Sequence, residues 1–365
     1  MKRARLVPDE LLPPPGELTP PWPARTVTID GRLAHVRETV GAPGAEPAVY
    51  VHGLGGSAQN WTDLAGLLAG RLDGQALDLP GFGRSEPTGR YSVAGLAAWV
   101  ARWIEHADRG PVHLFGNSLG GAVAVHVAGT RPELVRSLTL ISPAMPFLDP
   151  RRSFHGRMLP LLMIPAVDRF AARRLATIDP ADLARMVIGS CFADPTRYPE
   201  QRFAEALEEA RLRYTVPWYT TAYVSSLRGL VASFLRAYLP GAGSLWRVAA
   251  RISAPALVIG GRQDQLIDIR VAPQVATVVP DSRLLMLDGV GHVAQMELPR
   301  IVARAVWAMF DELTAGVTVD PVGSVAASRV RPSVGRVPVG TGRARTGIGG
   351  ARRAGGVAVT GEASN

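Results

Sequence analysis

The chain has one cysteine, Cys191, and one lysine, Lys2, among 365 residues. A single thiol closes no disulfide within the chain, and no Cys/His cluster has zinc-finger spacing, so neither a disulfide-stapled module nor a zinc finger fits. No run approaches the ~18 consecutive apolar residues of a membrane-spanning helix. The N-terminus, MetLysArgAlaArgLeuValPro, starts basic but has no apolar stretch before its prolines, so it does not read as a secretory signal. A reducing, cytoplasmic setting is therefore expected. Aromatics make up only 6% and charged residues 19%, against 47% hydrophobic, which describes a globular chain with a large core.

The formal net charge is +9. It is not spread evenly. Residues 25–145 with 247–312 balance acids and bases, whereas the excess falls in 146–246 and in 313–365. Nearly every base is arginine, and no nucleic-acid motif accompanies them. Basic patches attract anions non-specifically, but without a motif they do not make a nucleic-acid protein. No nucleic-acid partner is expected.

Four regions follow from the pattern. Residues 1–24 hold seven prolines and no periodicity, and read as a Pro-rich extended arm. Residues 25–145 alternate short β-branched runs with helical stretches. The runs 25–29 and 33–37 flank AspGly at 30–31, a two-residue hairpin signal. Further apolar runs at 48–51, 75–79, 112–115 and 137–141 read as buried parallel strands, with helices at about 57–70, 91–107 and 119–129. The alternation resumes with strands at 255–260 and 283–287 and a helix at 299–312, so 25–145 and 247–312 form one α/β sheet flanked by helices. Between them, 146–246 reads as helices broken by prolines, and 313–365, rich in Gly, Ala and Arg, reads as a disordered tail.

The chemistry concentrates at GlyAsnSerLeuGly (116–120), where a strand gives way to a helix. A tight turn there projects Ser118 from the sheet, and Gly116 and Gly120 keep side chains from colliding across it. A serine hydroxyl is a weak nucleophile and needs a base oriented by a third group. His292, in GlyValGlyHisValAlaGlnMetGlu after the last strand, is the candidate base. Asp264, after the preceding strand, is the candidate acid. Both lie at carboxyl ends of strands, where such sheets place reacting groups, and the order Ser, Asp, His suits this sheet. Asp268 and Asp149 compete with Asp264, the former more simply as a helix cap. HisGlyLeuGlyGlySer (52–57) brings backbone close to Ser118, so Leu54 and Leu119 N–H groups are the candidate oxyanion hole. His52, with Gly53 and Asn117, is expected to support this loop rather than move protons. Asp78, in AspLeuProGlyPheGlyArgSer, reads as a turn stabiliser.

HisGlyLeuGlyGly, AspLeuProGlyPheGlyArgSer, GlyAsnSerLeuGlyGly, the Asp264 loop and GlyHisValAlaGlnMetGlu together resemble the α/β-hydrolase superfamily over about residues 25–312. The resemblance implies an eight-stranded, mostly parallel sheet with its second strand antiparallel, a helical cap at 146–246, no metal and no organic cofactor. A serine at 118, where haloalkane dehalogenases and epoxide hydrolases carry aspartate, implies acyl transfer to water from an apolar carboxylic ester. GlyAsnSer and the His292 motif are also similar to meta-cleavage product hydrolases, which split a C–C bond. Their usual SerGlyProGly-like turn is absent, so that activity is the alternative, with a non-catalytic binding protein behind it. The apolar segment 158–167 adds peripheral lipid contact through the cap to the partners that the sequence suggests. Oligomeric state is not legible.

Overall fold

The structure is a computed structural model, and residues 1–147, 177–237, 239 and 243–316 are described. The rival acid Asp149, the apolar segment 158–167, the cap aromatics Phe154, Phe170 and Tyr238, and the tail from 317 onward lie outside them.

The AspGly hairpin is present as expected. β2 (Ala24–Ile29) and β3 (Arg32–Thr39) pair antiparallel with Ile29 opposite Arg32. Asp30 and Gly31 take φ of 51° and 72°, the two positive values that match a two-residue turn to strand twist. Next come β4 (Glu46–Val51), α1 (Thr62–Leu68), β5 (Leu72–Leu77), α2 (Val93–Ala107), β6 (Val112–Asn117), α3 (Leu119–Thr130) and β7 (Val135–Ile141). After β7 the described chain is helical, with α4 (Pro180–Cys191), α5 (Glu200–Thr215), α6 (Tyr219–Arg236) and α7 (Leu245–Ala249). It closes with β8 (Ala256–Gly261), α8 (Val271–Val278), β9 (Ser282–Leu287), α9 (Ala294–Glu297) and α10 (Pro299–Gly316).

With β1 (Lys2–Arg3), these strands form one sheet in the order β1-β9-β8-β7-β6-β4-β5-β3-β2. Only the β2/β3 and β3/β5 pairs are antiparallel. The strands expected as continuous apolar runs are buried on both faces. On β4, Val49 and Val51 join the core beneath α2, α3 and α8, while Ala48 and Tyr50 join the core beneath α1 and α10. The side-chain period of two thus feeds two cores, which is why no polar alternation marks these strands.

One expectation needs correction. The sheet has nine strands, not eight, because β1 (Lys2–Arg3) adds parallel to β9, with Ala4 N–H donating to Leu284 O at 3.0 Å. A two-residue strand carries no periodicity to detect. The Pro-rich stretch is also docked on the body. Val7 and Leu12 are buried against α1 and α10, each such burial stabilising by about 1.5–3 kcal/mol. Arg300 reaches Asp9 Oδ2 at 2.7 Å and Pro13 O at 2.7 Å, and Arg304 donates to Val7 O at 2.7 Å. Prolines forbid regular ladders but leave carbonyls free to accept from these arginines.

Candidate active site

Ser118 stands between β6 and α3 with φ 53° and ψ −117°, a left-handed conformation that a serine seldom adopts. The neighbouring backbone holds it there. Ser118 N–H donates to Ile141 O at 3.1 Å, and Ser118 O accepts from Ala122 and Ala144 N–H at 3.1 and 2.9 Å. The two flanking glycines are sterically required. A Cβ on Gly116 would lie 2.4 Å from Gly120 O, and one on Gly120 would lie 2.2 Å from Val51 O. The turn therefore closes tightly enough to lift Ser118 to the carboxyl end of the sheet, partly exposed.

His292 is 4% exposed, in the loop between β9 and α9. Its Nδ1 lies 2.8 Å from Asp264 Oδ2, in the loop after β8. The other carboxylate oxygen accepts from Leu266 and Ile267 N–H at 2.9 and 3.0 Å. Burial works to raise the Asp264 pKa, but His292 and these two amides outweigh it and hold the carboxyl below the usual carboxylate range. An ionised Asp264 fixes the imidazole as the Nδ1–H tautomer and leaves Nε2 as the acceptor. Asp268 faces elsewhere: its carboxylate takes Arg270 Nε and backbone N–H at 3.0 Å each. It precedes α8 by a turn, and the residue at the N-cap is Arg270, not Asp268.

The glycine-rich loop after β4 abuts the nucleophile, since a Cβ on Gly53 would sit 3.1 Å from Ser118 Cβ. His52 is wholly buried; Leu79 N–H donates to its Nε2 at 2.9 Å and its Nδ1 lies 2.6 Å from Gly53 O. Both ring nitrogens are committed within the fold, and burial pushes its pKa down. Leu119, as the first residue of α3, has an N–H with no i−4 carbonyl in its own helix. Asn117 bridges the end of β7 and the His292 loop, its Nδ2 donating to Ile141 O and His292 O at 3.1 Å each. Asp78 accepts from Ala58 N–H at 2.7 Å and Arg84 N–H at 2.9 Å, the turn role expected of it.

Ser118 and His292 open onto one cavity of about 600 Å³. Part of its wall is apolar: Ala184, Val187, Ile188 and Phe192 from α4 and the residue after it, with Val293 and Met296 near His292. Of the described aromatics between β7 and β8, Phe192 and Tyr198 face this space. Tyr219 and Tyr223 pack instead on Gly55, within 3.2 Å of where its Cβ would be, and Phe147 stacks edge-on to Phe234.

Two contributors escape sequence reasoning. Residues 13–19 of the arm line the cavity, held by Arg202 donating to Thr19 O at 2.8 Å. Glu297, with a side chain wholly shielded from solvent, accepts from Gly291 N–H at 2.7 Å and from Ala193 and Asp194 N–H, so one carboxylate ties the His292 loop to the residues after α4. Cys191 O accepts from His292 N–H at 2.6 Å, adding a second tie. The only local signal was Glu297 within the His292 motif. Among the described residues no three His, Cys, Asp or Glu side chains are grouped as metal ligands, and no helix is long and apolar enough to cross a membrane.

Comparison with known proteins agrees with this architecture. The family model of the alpha/beta hydrolase fold matches residues 47–299. The chain is 31% identical over 273 residues to the dihydrolipoyllysine-residue acetyltransferase component of an acetoin cleaving system from Pseudomonas putida, covering 74% of this chain and 64% of that protein. It thus spans less than two thirds of that relative. It is 27% identical to the monoacylglycerol lipase ABHD6 of Bos taurus, over 72% of this chain and 75% of the lipase. Among solved structures, a lipase described as putative from Acinetobacter baumannii superimposes with a TM-score of 0.64 at 22% identity, over 80% of this chain and 92% of that one. That last likeness bears on fold alone.

Proposed function

Because the chain belongs to the family of the alpha/beta hydrolase fold, we propose that it is a cofactor-free serine hydrolase that cleaves an apolar carboxylic ester through an acyl-enzyme. The carrying observation is that Ser118, on its left-handed turn, shares a cavity with a His292 already hydrogen-bonded to a buried, ionised Asp264. In this reading Ser118 Oγ attacks the ester carbonyl while His292 Nε2 accepts its proton, then returns it to the leaving alcohol. Water attacks the acyl-enzyme with the same base. Leu54 and Leu119 N–H groups stabilise the oxyanion, at about 3 kcal/mol each. His52, Gly53, Gly116, Asn117 and Gly120 hold these groups in place. The apolar wall from α4 supports an apolar acyl or alcohol group, and the helices between β7 and β8 serve as its cap. The setting assigned is cytoplasmic, in keeping with a single cysteine.

The test is steady-state hydrolysis of p-nitrophenyl esters from acetate to palmitate. Ser118→Ala and His292→Ala are expected to lower kcat by several orders of magnitude, and Asp264→Asn by about 10³–10⁴-fold. Near-wild-type turnover by Asp264→Asn would overturn the acid assignment. No Ser118-dependent turnover on any ester would transfer the reading to a C–C hydrolase, assayed on a ring-fission dienoate.

A further inference from the structure

Among the described residues, every arginine that lines the cavity except Arg213 is ion-paired. Arg202 lies between Asp63 at 2.6 Å and Glu205 at 2.7 Å. Glu209 takes Arg84 at 2.9 Å, Glu297 takes Arg197 at 3.2 Å, and Arg300 takes Asp9 at 2.7 Å. Glu17, on the arm, is exposed to solvent. Arg213 is half-buried, lines the same cavity, and has no ion pair or hydrogen bond among the described residues. Its guanidinium carbon sits 5.5 Å from the centre of the Tyr219 ring.

That placement is specific. Arg213 occupies the last turn of α5, where the helix dipole favours a cation. The dipole accounts for a positive charge there, though not for a side chain turned inward over Tyr219. Tyr219 is nearly buried, and its hydroxyl lies 3.5 Å from Gly55 O in the loop beside Ser118. The cation is therefore one aromatic ring away from the loop facing the nucleophile. A half-buried guanidinium with a free fork of donors is costly to leave without an anion.

We propose that Arg213 is the anion-recognising residue of this cavity, and that the substrate is an ester carrying a carboxylate at the end of an apolar chain. This rests on the serine-hydrolase reading above. The apolar wall takes the chain, and the guanidinium takes the terminal carboxylate in a two-point hydrogen bond. A carboxylate fits better than a phosphate monoester. One negative charge neutralises one guanidinium, whereas a phosphate's −1.5 to −2 would leave excess negative charge close to Glu205 and Glu209.

The experiment compares mono-p-nitrophenyl adipate with p-nitrophenyl hexanoate, of equal chain length, in the wild type, Arg213→Gln and Arg213→Lys. The wild type is expected to favour the adipate half-ester in kcat/KM. The ratio should fall by about 10–100-fold in Arg213→Gln, as for loss of one charge-assisted hydrogen bond, and recover partly in Arg213→Lys. Equal kcat/KM for the two esters in the wild type, or a ratio that Arg213→Gln does not change, would overturn the proposal. Calorimetric titration of Ser118→Ala with adipate and with neutral adipamide separates the two readings. Arg213-dependent adipate binding without ester turnover keeps the anion site and removes the hydrolase reading. Ser118-dependent turnover without such binding does the reverse.

Discussion

At the residue scale, the triad candidates were legible because each follows a strand, and the sheet determines where those loop ends meet. What their neighbours do was not legible. Asp268 and Asp264 are four residues apart and chemically identical, yet one faces Arg270 and the other His292. Glu297 takes its place from partners across the fold, which no local pattern encodes. The ionised state of Asp264 has a consequence for stability. Its folded pKa lies below the unfolded value near ~3.9, so its contribution is fully present above that pH and is lost as pH falls through the folded value. Urea unfolding of the wild type and Asp264→Asn should therefore differ in free energy at pH 7 and pH 5, and converge below about pH 4. A difference that stays constant down to pH 2.5 would refute this linkage.

At the element scale, interior strands were legible to within a few residues because both faces are apolar. The run assigned to 75–79 shows where this fails. β5 ends at Leu77, and the Asp78 carboxylate accepts from backbone N–H groups of Ala58 and Arg84 in the loops beyond it. Residues 1–24 read as a Pro-rich extended arm, and the partners it docks on, β9 and α10, lie too far along the chain for any local pattern to show them. Deleting 1–19 removes the buried Val7 and Leu12 together with one wall of the cavity. The melting temperature should drop by on the order of 5–10 °C, and the optimum in ester chain length should broaden toward longer acyl groups. Unchanged selectivity would mean that residues 13–19 do not contact the substrate.

At the scale of the whole molecule, the uneven charge proved informative. The sheet-forming body is neutral and largely self-paired, which places the surplus cations between β7 and β8 and after α10. The chain divides into Met1–Val317 and Thr318–Asn365. Removing 318–365 is expected to leave the melting temperature and kcat/KM for p-nitrophenyl esters unchanged within error. A fall in either would mean that this unit contributes to folding or to the cavity.

The docked arm also sets an order of assembly. Residues 2–12 leave the ribosome before β9 and α10, the last described elements to be synthesised, yet rest on them. Until those emerge, the arm has nowhere to bind and one wall of the cavity does not exist. Such long-range closure slows folding relative to local contacts. A nascent chain halted before β9 would lack His292 and leave its arm undocked, so the candidate site is completed and enclosed in the same late step.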